Sequence, residues 1–487
     1  MTTLIESTRR AARRAAWITT IAGAFALGAC GDFDVLNTNA PTAEELTSSP
    51  TRSVLARAAT GIFAQVFNDV GNEIIFYAIY GREGYNLLGN DPREWEEQVH
   101  GPPDPAGRHG GIWIGPYSAI RHINTYLRAL ENASGLTEEE IRASAGFAKT
   151  MKAWHFHRLA VRTGEYGIPI DVDRPIDAEP APFVPFATAM EYVSDLLDEA
   201  YQDLLAGGSA FPFPVAPGFT GFSTPQTFAQ FNRALAAKVL VHRATFNGCS
   251  SCWSEASAAL AASFITDSDL PESLSRGVYF GYTGAAGEPG NPISEPLSND
   301  RLWVHSSIVT GAQTRPDGTP DLRLTRKVMD AGRVRELQGL VGTHKPVLYN
   351  SPSNPAQADP DADIPWIDNE ELLLLRAEVR WHTGDRAGAV ADIDLIREHS
   401  GGLGPSGLTP GSSDDEFITE LLYNRLYSLM WRNGTRWIDA RRYNRTHLLP
   451  LDRPGDVIFP SMVVPANECT ARRLDPPCEP LKQQQGG

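Results

Sequence analysis

Of the five cysteines in this chain, Cys30 has the most chemically suggestive surroundings. It follows Leu27-Gly28-Ala29, with small residues at the two positions before it. Upstream, Arg9, Arg10, Arg13 and Arg14 form a cationic stretch, and residues 15–26 form an apolar run too short to span a bilayer. A leader of this kind is cut ahead of a cysteine whose thiol and new amino terminus then take acyl chains. Several chains together hold a protein at a membrane where one does not. The expectation is that residues 1–29 are removed and that Cys30 is lipidated. An ordinary secretory leader that happens to end in cysteine is the alternative. A twin-arginine route fits less well, because Arg13-Arg14 lacks the polar and aromatic context it prefers.

The other cysteines are Cys249, Cys252, Cys469 and Cys478. In an exported protein an even count reads as disulfides, and the short spacings favour Cys249 with Cys252 and Cys469 with Cys478 among three connectivities. A zinc site would need histidines at ligand spacing, which neither pair has. A redox role for Cys249-Ser-Ser-Cys252 would need a surrounding βαβ pattern, which is missing.

A second kind of chemistry is non-covalent. Flat aromatic faces stack on the C–H patches of sugars, and planar polar side chains hydrogen-bond their hydroxyls. Tyr80, Arg82, Tyr85 and Asn86 in a Gly-rich loop, followed by Trp95, supply those types, and Tyr279, Tyr282 and Trp303 could form an opposing wall. The competing reading makes each of these aromatics a loop anchor packed on the helices. Asp359, Asp361, Asp363 and Glu370 occupy positions 1, 3, 5 and 12 of a calcium-loop template, but Ile364 stands where the sharp turn needs glycine, so the match is weak and no metal is expected. His155 and His157 lie two apart on a helix, about 200° around its axis, and cannot share one metal face. Glu420, Arg425, Arg436, Asp439, Arg441 and Arg442 read as ion pairs bracing the last helices. No residue is assigned a catalytic role and no cofactor is implied.

These residues need a scaffold, and the periodicity predicts a mostly helical one. The 487 residues, 42% of them hydrophobic, can bury a large core, and the net charge of −16 argues against nucleic acid or anionic lipid as partners. Apolar spacings of three and four mark a helix over 117–131. Thr137 before Glu138, Glu139 and Glu140 opens a second, running to about residue 162. Further helices are predicted over 187–205, 225–246, 253–264, 369–382, 386–398 and 414–432, with few and short strands. Ala377, Ala389 and Ile393 stand at tetratricopeptide offsets around the Gly384-Asp385 turn, although Arg380 replaces the expected aromatic. The reading is a degenerate solenoid of helical hairpins broken by long Pro/Gly-rich stretches over 207–225, 277–299, 351–365, 401–413 and 450–480, where function is expected to reside.

The order of short motifs carries a further signal. Leu36-Asn37-Thr38-Asn39-Ala40-Pro41-Thr42 is followed by Trp113, Tyr117, Ile120 and Asn124, then by Tyr166-Gly167-Ile168-Pro169 and Asp321-Leu322-Arg323. Next come Ile364-Pro365, Glu370, Leu373, Ala377, Glu378, Gly384-Asp385, Ile393 and Arg397, and finally Arg425, Leu429, Gly434-Thr435-Arg436-Trp437, Asp439 and Arg442. In this order, behind the lipidation site, the chain resembles the SusD/RagB family of outer-membrane nutrient-binding lipoproteins over essentially all of its mature length. The resemblance implies a SusD-like α-α superhelix, with tetratricopeptide-like hairpins as scaffold and irregular insertions facing the ligand. It implies a lipid-anchored protein on the exterior of the outer membrane that captures oligosaccharides, or peptides, and passes them to a SusC-like TonB-dependent transporter without covalent chemistry. It divides the chain into a leader (1–29), a lipidated spacer (30–50), an N-terminal helical region (51–270) and a C-terminal region (271–487) packed with it as one unit. The match departs at Phe459-Pro460, which leads into Ser461-Met462-Val463-Val464-Pro465, and in the cysteine pairs. Two other classes are weighed: an exported glycoside hydrolase, for which no carboxylate pair is marked, and a tetratricopeptide-like scaffold that binds only protein.

Overall fold

The structure is a computed structural model that describes residues 43–487 except 49, 67–69, 108, 176, 269, 285–289, 476–477 and 486–487. Cys30 and the leader therefore lie outside the described residues. The end of the expected spacer is helical, over Ala43–Ser48. Two apolar helices follow, α1 (Arg52–Val66) and α2 (Val70–Tyr80), then a short strand, β1 (Gly84–Asn86). Neither helix was among those read from the sequence. In α2 nearly every side chain is buried, so it carries no amphipathic period to read.

The helices that were legible follow as α3 (His109–Glu131), α4 (Glu138–Thr163), α5 (Phe186–Leu205), α6 (Pro225–Asn247) and α7 (Cys252–Ala261). At the start of α4 the capping box forms as its sequence suggests: Glu140 N–H donates to Thr137 Oγ1 at 3.2 Å and Thr137 N–H to Glu140 Oε2 at 2.9 Å. Helix α6 stops at Gly248, whose φ of +67° is the left-handed conformation that glycine adopts without strain. The corner between α6 and α7 is held by the Cys249–Cys252 disulfide, with Cα atoms 5.4 Å apart.

After α7 the chain leaves the helical stack and returns to it more than a hundred residues later. The excursion opens with β2 (Gly277–Phe280), passes through β3 (Leu302–Val304), β4 (Val328–Leu337) and β5 (Leu340–Pro346), and closes with β6 (Ile364–Asp368). Strands β2 and β6 pair antiparallel, Gly277 opposite Asp368 and Phe280 opposite Ile364, so the insertion is clamped at its neck. The other strands form an antiparallel sheet in the order β1-β3-β5-β4, in which Tyr85 faces Trp303. The ten-residue β4 exceeds the short strands expected. It is an edge strand rich in charge, and its alternation is one of half-buried and exposed positions rather than of apolar and polar residues.

The stack resumes with α8 (Asn369–Thr383), α9 (Arg386–His399), α10 (Asp414–Ser428) and α11 (Thr435–Arg442). Each helix from α3 to α8 packs on the next, and α8 also meets α9 and α10. Packing thus runs from α7 into α8 across the break in sequence. Ala377, Ala389 and Ile393 are fully buried where α8 and α9 approach. In place of the expected aromatic, Arg380 Nη1 donates to Asp392 Oδ2 at 2.9 Å, tying the hairpin by charge. Trp381 stacks on Phe417 of α10, with ring centroids 4.1 Å apart. A second disulfide, Cys469–Cys478, closes a loop near the C-terminus. The described residues form one compact unit, and among them no helix is long and apolar enough to cross a membrane.

Candidate ligand-binding site

The aromatic loop expected to bind ligand is an internal seam of the fold. Tyr80, Arg82, Tyr85, Asn86, Trp95 and Trp303 are all buried, several of them completely. Tyr80 meets Trp437 at 5.1 Å between ring centroids. The Arg82 guanidinium donates to the carbonyls of Ile79 and Val457 at 2.8 and 2.9 Å, stitching the loop to a segment far along the chain. Asn86 Oδ1 accepts the Leu88 N–H at 3.2 Å. Trp303 donates its indole N–H to Asp300 O at 2.7 Å, and the Arg333 and Lys345 cations cover its ring. His305 Nδ1 accepts the Ser307 N–H, so its proton sits on Nε2, 3.2 Å from Asp452. The structure does bring Tyr85 and Trp303 together, but as neighbours in one sheet rather than as two walls of a site. The packing reading holds for these residues, and Tyr282 is also buried. Tyr279 alone of the set reaches the surface.

Tyr279 stands at the edge of an open groove of about 470 Å³. One side is the loop from Pro217 to Phe222 between α5 and α6; the other is the approach to β2 from Glu272, with Asp363 at the end. The two sides touch because Gly218 has no side chain: a Cβ there would lie 2.1 Å from the Tyr279 carbonyl oxygen. Phe222 is buried beneath the groove, and the exposed Arg276 holds its guanidinium carbon 5.8 Å from that ring and 5.9 Å from Phe264. The Tyr279 hydroxyl donates to the Ser275 carbonyl, and burial pushes its pKa up to about 12, so it stays protonated. Asp363 Oδ1 accepts the Tyr282 N–H at 3.0 Å; burial raises its pKa and that hydrogen bond only partly opposes the shift. The groove thus offers one half-buried ring, one guanidinium, carboxylates and the hydroxyls of Thr220, Ser273 and Ser275. Such an array can stack and hydrogen-bond a polar ring compound. Arg276, Asp363 and the Pro217–Phe222 loop were not picked out for this role from the sequence, although the loop lies in one of the Pro/Gly-rich stretches where function was expected.

Among the described residues no group of three or more His, Cys, Asp or Glu is gathered to hold a metal. Asp359 Oδ1 accepts the Asp361 N–H at 3.1 Å. Glu370 sits apart, where Lys327 and Arg432 overcome the effect of burial and hold its pKa low. His157 Nε2 lies 3.1 Å from His242 Nδ1, and burial drives its pKa down to about 3. His155 is wholly buried. Arg425 and Arg442 both bond Asp439, and Arg442 also bonds Glu378. An enclosed cavity of about 40 Å³ beside Glu73, Arg158 and Lys238 is too small for any saccharide.

A stack of helical hairpins interrupted by a sheet-bearing insertion defines a class of fold, and solved structures identify it. No family model and no curated protein matches the sequence. A SusD superfamily protein from Bacteroides vulgatus superposes with a TM-score of 0.66 at 14% identity, covering 87% of this chain and 98% of that one. A SusD-like carbohydrate binding protein from Bacteroides fragilis gives 0.64 at 14% identity, over 82% and 87% of the two chains. A laminarin binding SusD-like protein gives 0.61 at 14% identity, over 87% and 98%. The chain has the SusD-like fold.

Proposed function

We propose that this protein is a non-catalytic oligosaccharide receptor, anchored through acylated Cys30 to the exterior of the outer membrane, that hands its ligand to a SusC-like TonB-dependent transporter. The observation that carries the reading is the coincidence of a SusD-like fold over most of the chain with an open groove holding a ring, a guanidinium and carboxylates. Two of the similar structures are named for saccharide binding, which favours sugar over peptide as the ligand. The groove needs no reacting atom: binding by stacking and several hydrogen bonds, each contributing about 0.5–1.5 kcal/mol net, suits capture followed by release.

Calorimetry of the mature protein against a panel of soluble oligosaccharides tests the proposal. Saturable binding is expected, weakened about tenfold by Tyr279→Ala if the ring contributes about 1.4 kcal/mol. Reducing ends released from the panel would point instead to a hydrolase, and a barrel partner without any sugar binding would point to a scaffold. Labelled palmitate should enter the wild type and not Cys30→Ala, and a large β-barrel should co-purify from membranes.

A further inference from the structure

The enclosed cavity beside Glu73 lies where α2, α4, α6 and β6 meet, and the charges around it do not balance. Glu73 of α2 is shared by two arginines of α4: its Oε2 accepts Arg158 Nε and Nη2 at 2.9 and 2.6 Å and Arg162 Nη1 at 3.0 Å. All three side chains are more than nine-tenths buried. Lys238 of α6, also on the cavity wall, faces Glu371 at 2.8 Å, so that pair cancels. His157 and His242 are held neutral by burial and add no charge. Among the described residues, two guanidiniums thus share one counter-charge in the core.

The donors are in excess as well. Arg158 Nη1 and Trp366 Nε1 are buried without an acceptor, and both side chains line the cavity. Arg162 Nη2 also lacks one. The Trp154 ring covers the Arg158 guanidinium at 4.6 Å, which shields one face but gives Nη1 nothing to bond. A buried donor without an acceptor is costly, and a buried charge without a counter-charge more so. Water in the cavity would satisfy the donors and leave the charge; a small anion satisfies both. Glu73 also lines the wall, but three N–H groups and two positive charges already converge on its Oε2. At about 40 Å³ the space exceeds the about 10–15 Å³ that one water needs, so a halide can enter.

We infer that this cavity is a binding site for one chloride-sized anion, which accepts from Arg158 and Trp366 and neutralises the Arg158–Glu73–Arg162 cluster. The anion ties α4 to α2 and β6 from within, independently of what the surface groove binds.

The test uses bromide as a heavy stand-in for chloride. Crystals of the mature protein soaked in sodium bromide should show one anomalous peak within bonding distance of Arg158 Nη1 and Trp366 Nε1. In solution, replacing gluconate by chloride at constant ionic strength should raise the melting temperature by roughly 1–2 °C for each tenfold rise in chloride above its dissociation constant. Arg158→Gln, which leaves Arg162 and Glu73 as a balanced pair, should abolish both the peak and the chloride dependence. Trp366→Phe keeps a ring in place and removes only a donor, so it should weaken both, and it carries the comparison if Arg158→Gln does not fold. A cavity holding water alone, with no anomalous peak, overturns the inference. So does a chloride dependence that is the same in wild type and in both variants.

Discussion

Replacing Arg442 with methionine should cost far more stability than replacing Arg442 and Glu378 together. Both side chains are fully buried, and their ion pair is bidentate. Arg442 Nε also donates to Asp439 Oδ1 at 2.7 Å, while Arg425 holds the other carboxylate oxygen at 2.7 Å. Without Arg442, Asp439 keeps Arg425, but Glu378 is left with the Tyr443 hydroxyl as its one remaining named partner. An unpaired buried carboxylate costs about 3–5 kcal/mol, whereas exchanging a buried pair for packed apolar groups is often near neutral. Urea unfolding of Arg442→Met, Glu378→Met and the double variant measures this directly. The coupling should be at least about 2 kcal/mol, well beyond the additivity of independent sites. A single-variant loss under about 1 kcal/mol, or a double variant equal to the sum of the singles, would refute the idea that these charges brace α8 to α11. The acid limb offers a second check. Burial opposes the Asp439 charge, but Arg425 and Arg442 hold its pKa below the usual carboxylate value. Its contribution is therefore present above the unfolded-state pKa and is lost as pH falls through the lower folded-state value, so Asp439→Asn should show a flatter acid limb.

Other substitutions probe separate parts of the molecule. Gly434 has φ of +77° and a Cβ there would lie 2.6 Å from the Tyr77 ring, so Gly434→Ala should lower stability by roughly 2 kcal/mol or more in chemical denaturation. Gly218→Ala would press on the Tyr279 carbonyl oxygen, and it should weaken sugar binding more than it lowers the melting temperature. Glu83 is buried with the Trp431 N–H on its carboxylate, and burial raises its pKa to about 7. Because the folded value lies above the unfolded one, the contribution of Glu83 to stability is full below the ordinary carboxylate range and is lost as pH rises through 7. Glu83→Gln should remove that slope in melting curves recorded from pH 4.5 to 8. Changing Cys469 and Cys478 together to serine opens a nine-residue separation and should cost about 3 kcal/mol, read by urea midpoint.

What could be read in advance depended on where each residue finds its partners. Thr137 and Glu140 cap one helix across three residues, and Ala377, Ala389 and Ile393 meet within one hairpin, so spacing alone placed them. Helix α2 was hidden because it is buried on all sides, and β4 because its edge position suits charged residues. The aromatic loop failed for a different reason. Tyr80, Arg82 and Tyr85 have the composition of a sugar-binding loop, yet what covers them is Trp437, the Val457 segment and strand β3, all more than two hundred residues away. Local composition cannot register such cover. Tyr279 escapes it because Gly218 brings only backbone to its inner side and leaves the ring at the groove's edge. Two tyrosines of like type thus end in opposite surroundings, Tyr80 fully buried against Trp437 and Tyr279 half-buried at the groove, and what separates them is the presence or absence of a distant side chain over the ring.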